Sequence, residues 1–218
     1  MLSLSNVSVR NTLNDLTLTV KSDEFVLIVG ANGAGKTTLF NVISGEIKPR
    51  SGKILFKNMD ITDTPQHKRT KWIASVLQDP RLGTVGEMTI LENLSLAYIR
   101  NGYKKLTGST IAFFKDKLRI LEMNLENRLY EQTRNLSGGQ RQALSLIMAT
   151  ITDYDLLLLD EITASLDPKN SSMVMKIAEK IVALEKKACM LITHNTKHIE
   201  SFGSRILEMR NGGLVQVS

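Results

Sequence analysis

The segment GANGAGKT, Gly30 to Thr37, combines glycines with a lysine and a hydroxyl side chain in the spacing G-x-x-x-x-G-K-[ST]. Glycines in such a loop let backbone N–H groups surround phosphate oxygens without clashes from Cβ atoms. Lys36 would bring positive charge to the β- and γ-phosphates, and Thr37 would offer its hydroxyl to Mg²⁺. The segment therefore predicts a nucleoside triphosphate site, with expected contacts from Gly30, Asn32, Gly33, Ala34, Gly35, Lys36, Thr37 and Thr38.

The segment LLLLDE, Leu156 to Glu161, ends an apolar run with two carboxylates. An apolar strand of this kind would deliver Asp160 to the metal ion and place Glu161 just beyond it. A carboxylate at a strand end can accept the proton of an attacking water molecule. Together with the glycine-rich loop, this pattern predicts hydrolysis of a nucleoside triphosphate.

A second possible anion site lies in NLSGGQRQALSL, Asn135 to Leu146, which reads as a Ser-Gly-Gly turn opening a helix. Backbone N–H groups and the helix dipole favour anions at such a start. Ser137 and Gln140 also fit a capping box, in which each side chain bonds to the backbone N–H of the other residue. The capping box leaves the two consecutive glycines, Gly138 and Gly139, without an explanation.

The hydrophobic pattern predicts the elements that position these motifs, in an α/β arrangement. The short alternating runs LSLSNVSV and LTLTV indicate strands of an antiparallel sheet, whereas the continuous apolar run Phe25–Val29 indicates a strand buried on both faces. From Thr89 to about Tyr130 the pattern is helical and opens with a Thr-x-x-Glu capping box. The other predicted elements are a helix from Lys36, a strand at Lys53–Phe56, helices at Gly138–Ile151 and Ser171–Lys186, and strands at Asp155–Asp160 and Ala188–Thr193.

Composition places the chain among soluble globular proteins. It has 218 residues, 42% hydrophobic and 23% charged, and no apolar run approaches the ~18 residues that span a bilayer. The single cysteine, Cys189, agrees with a reducing compartment. Net charge is +6, but the basic clusters at His67–Lys71 and Arg100–Lys105 are short and aromatic residues are few, so we expect a solvated face and no nucleic-acid partner.

The three motifs together resemble the ATP-binding cassette (ABC) ATPase family, over nearly the whole chain. The resemblance implies a P-loop NTPase core, with a mainly parallel sheet flanked by helices, an antiparallel β subdomain and an inserted α-helical subdomain. It implies a single ABC ATPase domain over residues 1–218, with the helical subdomain at approximately 85–150. In that family two cassettes pack head-to-tail, and the signature motif LSGGQ of one closes on the ATP of the other. Two phosphate-binding helix starts then make sense, since Ser137, Gly138, Gly139 and Gln140 would serve the partner's γ-phosphate.

Further positions match the family one by one. Gln78 resembles the Q-loop glutamine, which touches Mg²⁺ and the attacking water and senses the membrane partner. Asp167 looks like the D-loop residue at the dimer seam, and His194 looks like the switch histidine that contacts the γ-phosphate. The resemblance therefore implies ATP and Mg²⁺ as cofactors, with Glu161, His194 and Gln78 as catalytic residues and Thr37, Gln78 and Asp160 as metal ligands.

One position departs from the family pattern. Family members usually carry an aromatic residue near the first strand that stacks on adenine, and alignment puts Asn11 or Arg10 in that place. No Tyr, Phe or Trp precedes Phe25. Arg10 could stack its guanidinium on the base. The adenine contact therefore stays open between Arg10 and Asn11.

A single cassette without a membrane segment resembles a bacterial transporter subunit that docks on a separate permease. The segments VLQDPRLGT, EMTILENLSLAY and LLLLDEITASLDP look closest to a poorly characterised group of import ATPases. Permeases of that group resemble those for branched-chain amino acids or sugars and work beside an external binding protein. We therefore expect an importer of a small solute such as an amino acid, on the inner face of the cell membrane.

The expected partners are a permease, a second copy in an ATP-dependent head-to-tail dimer and, indirectly, an extracytoplasmic solute-binding protein. Two other classes compete with this interpretation. DNA or chromosome ABC ATPases typically carry a long coiled-coil insertion or two cassettes per chain, and the sequence has neither. A soluble accessory ATPase, of the iron–sulfur assembly or cell-division type, is compatible with the chain length.

Overall fold

A computed structural model describes residues 1–100, 106–194 and 205–217. Within these ranges the strands are β1 Leu2–Val9, β2 Leu13–Val20, β3 Phe25–Val29, β4 Ser51–Phe56, β5 Met59–Asp60, β6 Ile73–Val76, β7 Leu156–Asp160, β8 Ala188–Ile192, β9 Arg205–Arg210 and β10 Gly213–Gln216. The helices are α1 Lys36–Ser44, α2 Gln66–Arg69, α3 Pro80–Gly83, α4 Ile90–Arg100, α5 Gly108–Arg119, α6 Gly138–Thr150 and α7 Pro168–Glu185, with 3₁₀ turns at Leu125–Asn127 and Thr133–Asn135.

The chain divides into two compact units. The first draws on Met1–Ser75, Tyr154–Glu161 and Glu185–Ser218, and the second on Val76–Asp153 and Ile162–Leu184. The α/β fold with a mainly parallel sheet and a separate antiparallel sheet confirms the predicted fold class. No described helix is long and apolar enough to cross a membrane.

The strands form two sheets. One has four antiparallel strands in the order β2-β1-β4-β5, and the other has six strands in the order β10-β9-β3-β8-β7-β6. In the larger sheet β3 pairs in parallel with both β8 and β9, and β7 pairs in parallel with β8. Strands β7 and β8 are buried along their whole length, which explains why both read as continuous apolar runs.

Most predicted elements of the first unit lie where the pattern placed them. Strand β3 has the predicted bounds, β4 begins two residues before Lys53, and the predicted strand at Asp155–Asp160 begins one residue later. The predicted strand at Ala188–Thr193 ends one residue earlier, at Ile192. The predicted strand ends thus differ from the observed ones by no more than two residues, which is the usual uncertainty of such boundaries.

The second unit is helical. The capping box at the head of α4 is present, since the Thr89 N–H donates to Glu92 Oε2 and the Glu92 N–H donates to Thr89 Oγ1. The segment from Thr89 to Tyr130, predicted to be helical, comprises α4, α5 and a 3₁₀ turn. Residues 101–105, which hold most of the predicted basic cluster Arg100–Lys105, lie outside the described residues. Helix α7 begins three residues before the predicted Ser171, because Asp167 accepts the N–H groups of Lys169 and Asn170 and caps the helix there.

Candidate functional site

The glycine-rich loop connects β3 to α1 and is packed closely on two sides. A Cβ atom on Gly30 would lie 2.4 Å from the Met209 carbonyl oxygen, and one on Gly35 would lie 2.8 Å from the Thr12 carbonyl oxygen. Both glycines also have positive φ angles, 142° and 107°. No other residue fits these two positions without displacing the backbone of β9 or of the β1–β2 turn.

Lys36 is the first residue of α1, and its side chain is buried, with 5% exposed. Its Nζ donates to the carbonyl oxygens of Gly30 at 2.9 Å and Ala31 at 3.0 Å. The same Nζ lies 3.9 Å from Glu161 Oε1. The ammonium group is thus held across the loop, where it can exchange carbonyl oxygens for phosphate oxygens.

Asp160, the last residue of β7, is 8% exposed. Burial raises the pKa of its carboxyl and the charge of Glu161 adds to the rise, while a hydrogen bond from Thr37 and the charge of Lys36 oppose it. Among the described residues, Asp160 Oδ1 has no hydrogen-bond partner. A buried carboxylate oxygen without a donor, beside a threonine hydroxyl, fits the oxygen ligands that Mg²⁺ prefers.

Glu161 follows β7 directly and has a φ of 46°, in the left-handed region. That conformation costs a residue other than glycine about 1–2 kcal/mol, and here it is fixed by the Glu161 N–H, which donates to the Ile192 carbonyl oxygen at 3.0 Å. The Glu161 Oε1 atom lies 2.7 Å from His194 Nε2. A carboxylate oriented by a histidine and a lysine can accept a proton from water.

The first unit therefore brings five of the predicted site residues together. Lys36 and Thr37 come from the loop and α1, Asp160 and Glu161 from the end of β7, and His194 from the chain just beyond β8. All of them lie at the carboxyl ends of parallel strands, which is where open α/β sheets bind ligands.

The signature segment lies in the second unit. Gln140 N donates to Ser137 Oγ at 3.2 Å and Ser137 N donates to Gln140 Oε1 at 3.1 Å, so the predicted capping box is present. A Cβ atom on Gly139 would lie 2.7 Å from Asn170 Oδ1, and one on Gly138 would lie 3.2 Å from Leu166 Cδ2. Close packing against α7 and the chain before it thus gives the two glycines a structural reason that the sequence did not supply.

Gln78 and Asp167 also lie in the second unit, and both are exposed. Asp167 caps α7, and the N–H groups it accepts lower the pKa of its carboxyl. The chain at Gln78 is anchored by a residue that the sequence analysis missed, because buried Gln142 donates from Nε2 to the Leu77 carbonyl oxygen at 3.1 Å. A signal for Gln142 existed, since a polar residue lies on the apolar face of a predicted helix, four residues before Leu146.

A second missed residue is Arg141, which follows the signature motif directly. Its Nε donates to Thr84 Oγ1 at 2.5 Å and its Nη2 donates to the Thr84 carbonyl oxygen at 3.2 Å. The backbone of Arg134 also donates to the Gly86 carbonyl oxygen at 3.0 Å. The start of α6 is therefore joined by hydrogen bonds to the segment that follows Gln78.

The position expected to contact adenine lies beside the loop. Asn11, with a φ of 62°, lines an open cavity of about 600 Å³ together with the outer face of the loop, whereas Arg10 is not among the lining residues. None of the described residues that line the cavity is aromatic. Of the two residues predicted to contact adenine, only Asn11 lines this cavity.

Comparisons with known proteins agree with these motifs. The profile of the family described as ABC transporter matches residues 13–164. The chain is 41% identical over 209 residues to a tyrosine transport ATP-binding protein of Clostridioides difficile (strain R20291), covering 94% of this chain and 83% of that protein. It is 29% identical over 206 residues to the lipoprotein-releasing system ATP-binding protein LolD of Wigglesworthia glossinidia brevipalpis, covering 93% and 87% of the two chains.

A solved structure gives the same result for the fold. The dimeric, post-hydrolysis structure of an ATP-binding cassette bound to ADP and Pi is similar to this chain, with a TM-score of 0.86 and 26% sequence identity. The similarity covers 100% of this chain and 98% of that one.

Proposed function

This chain belongs to the ABC transporter family, and we propose that it is the ATPase subunit of an importer of a small solute such as an amino acid. ATP binding and ATP hydrolysis follow from family membership. The amino-acid cargo is supported by the similarity to a tyrosine transport ATP-binding protein over most of both chains. The observation that carries the catalytic assignment is the contact of Glu161 with His194 and Lys36 at the end of β7.

The mechanism starts with the phosphate chain. Backbone N–H groups of the loop and Lys36 Nζ bind the β- and γ-phosphate oxygens, because the loop glycines leave the backbone open to them. Thr37 and Asp160 would hold Mg²⁺. The family resemblance implies Gln78 as a further ligand. When bound, Mg²⁺ neutralises the charge that develops on the phosphates.

Glu161 accepts the proton of a water molecule whose oxygen attacks the γ-phosphorus, and the bond to the β–γ bridging oxygen breaks, giving ADP and phosphate. His194 Nε2 lies 2.7 Å from Glu161 Oε1, so its N–H can orient the carboxylate. When ATP is bound, the same N–H would donate to a γ-phosphate oxygen instead. Lys36 Nζ lies 3.9 Å from the same carboxylate oxygen, so the phosphate-binding ammonium and the proton acceptor adjoin each other.

The second half of the site comes from a second copy of the chain. Ser137, Gly138, Gly139 and Gln140 of one copy would close on the γ-phosphate held by the other, with Asp167 at the seam. ATP then acts as a ligand with higher affinity for the closed dimer, and hydrolysis reopens it. The chain would form one ABC domain over residues 1–218, with a helical subdomain at about 85–150, docked on a permease at the inner face of the membrane and served by an extracytoplasmic solute-binding protein.

The two-chain site is tested by trapping the dimer. Glu161→Gln removes the proton acceptor but keeps the shape of the side chain, so we expect a dimer with two bound ATP molecules in light scattering. Adding Ser137→Arg should abolish this dimer while leaving ATP binding to the monomer unchanged, because a bulky cation would occupy the place of the γ-phosphate.

The matched control is Thr107→Arg in the Glu161→Gln background. Thr107 caps α5 through a capping box, as Ser137 caps α6, and both caps are exposed. Each change removes a helix cap worth about 1 kcal/mol, but only Ser137→Arg should block the dimer. If the dimer persists with Ser137→Arg, Ser137 is only a helix cap and the two-chain site is wrong.

The transport assignment needs a separate experiment. Tagged Glu161→Gln protein purified from detergent-solubilised cells should bring down a polytopic membrane protein, and cells with Lys36→Ala should lose uptake of radiolabelled tyrosine or a related amino acid. Recovery without any membrane protein would support the soluble accessory class instead. Unchanged amino-acid uptake with a membrane partner still bound would remove the proposed cargo but keep the transporter subunit.

A further inference from the structure

The cavity beside the phosphate loop has three walls, all from the first unit. They are the β1–β2 turn with Asn11 and Asn14, the loop residues 31–34, and the β9–β10 turn with Glu208–Gly212. Strand β9 lies in parallel beside β3, and Glu208 is the register partner of Val29, so the end of β9 lies next to the start of the loop. Ligands of parallel sheets bind outside these carboxyl ends.

The β9–β10 turn is fixed against its neighbours. Gly212 N donates to the Ala34 carbonyl oxygen at 3.2 Å, and Asn14 N donates to the Gly212 carbonyl oxygen at 3.0 Å. Asn14 Nδ2 donates to the Asn211 carbonyl oxygen at 3.0 Å. A Cβ atom on Gly212 would lie 2.5 Å from the Thr12 carbonyl oxygen, so this close approach requires glycine. The wall is therefore formed before a ligand enters, which lowers the entropy cost of binding.

Among the described residues, the lining offers no aromatic ring, but it does offer the planar guanidinium of Arg210. Arg210 Nη2 lies 2.6 Å from Glu208 Oε2, and both residues line the cavity. The Arg210 side chain is 65% exposed and that of Glu208 is 28% exposed. The more buried carboxylate of Glu208 therefore positions the more exposed guanidinium of Arg210. A guanidinium can stack on a base through its flat face while its edge keeps a salt bridge.

On the basis of the proposed function, in which the base lies beside Asn11 in this cavity, we propose that Arg210, positioned by Glu208, stacks on the base. The loop residues that line the cavity also belong to the phosphate site, so base and phosphates would lie on adjoining faces of one loop. Because stacking uses the face that every base has, it distinguishes poorly between bases. The chain should therefore bind Mg·ATP and Mg·GTP with affinities within about fivefold of each other, a difference of about 1 kcal/mol.

The test compares ligands with and without a base on the full chain. Titration calorimetry with Mg·ATP, Mg·GTP and magnesium tripolyphosphate should show that Arg210→Ala weakens binding of both nucleotides about tenfold, equivalent to about 1.4 kcal/mol. Tripolyphosphate binding should not change, because it has no base. Arg210→Lys keeps the positive charge but loses the planar guanidinium group, so it should weaken nucleotide binding nearly as much as Arg210→Ala.

Arg50→Ala is the matched control, because it removes the same charge as Arg210→Ala. Arg50 is an exposed residue of the same unit and does not line the cavity. It should leave all three affinities unchanged. An equal loss for tripolyphosphate and ATP in Arg210→Ala would mean that Arg210 acts on the phosphates, and wild-type affinity in Arg210→Lys would rule out stacking. Failure of the wild-type chain to bind Mg·ATP at all would overturn the proposed function as well, whereas normal ATP binding in Arg210→Ala would overturn this inference alone.

Discussion

Arg69 offers a sharp test of how the phosphate loop is supported. The side chain is 1% exposed, and its guanidinium donates to the carbonyl oxygens of Val42, Ile43, Ile61, Thr62 and Thr64. Two of these carbonyls end α1, the helix that begins at Lys36. A Cβ atom on Gly45 would lie 2.8 Å from Arg69 Nε, so the glycine after α1 makes room for the arginine.

We expect Arg69→Met to lower the free energy of unfolding by about 3 kcal/mol. Methionine keeps an apolar stem but removes every donor. The Val42 and Ile61 carbonyls also accept backbone N–H groups, from Gly45 and Thr64. The carbonyls of Ile43, Thr62 and Thr64 have no second donor among the described residues, and each should cost about 1 kcal/mol when left unpaired.

Urea unfolding at equilibrium, followed by circular dichroism, measures this loss as a lower midpoint with an unchanged m-value. Arg69→Lys should fall between wild type and Arg69→Met, because one ammonium cannot reach all five carbonyls. Lys68→Met is the control, since Lys68 is the exposed neighbour of Arg69 in the chain, and it should stay within about 0.5 kcal/mol of wild type. A midpoint for Arg69→Met equal to that of Lys68→Met would refute the reasoning.

Three further predictions concern the site itself. Lys36→Ala should abolish tight Mg·ATP binding in titration calorimetry, because Lys36 brings the positive charge to the phosphates; near-wild-type affinity would remove it from the site. Asp160→Asn should raise the melting temperature of the nucleotide-free chain at pH 7.5. Burial raises the pKa of Asp160, so its ionisation costs stability above the pKa of the unfolded state. The difference in melting temperature between Asp160→Asn and wild type should therefore close as the pH falls toward about 4. Gly139→Ala should destabilise the fold by about 1–3 kcal/mol through overlap with the Asn170 side chain, and adding Asn170→Ala should restore part of the loss; equal melting curves for Gly139→Ala and wild type would contradict the packing argument.

Features that depend only on residues adjacent in the chain could be predicted from the sequence. The glycine-rich loop, the apolar run ending in Asp160 and Glu161, and the capping boxes at Thr89 and Ser137 all express backbone geometry over a few residues. Local spacing decides such features, because a turn, a strand end or a helix cap needs only its own segment. The ATPase assignment followed from the same local motifs, and the family comparison confirmed it.

Only the tertiary structure decided which distant segments meet. The contact of Glu161 with His194 and the packing of Gly30 against Met209 depend on the strand order β9-β3-β8-β7. The sequence could not supply that order, since β3, β7 and β8 are similar apolar runs whose pattern fits any neighbour in a buried parallel sheet. Arg69 shows the same limit. The sequence places it in a basic cluster expected to be solvated, whereas the structure buries it because carbonyls from residues 42–43 and 61–64 converge on it.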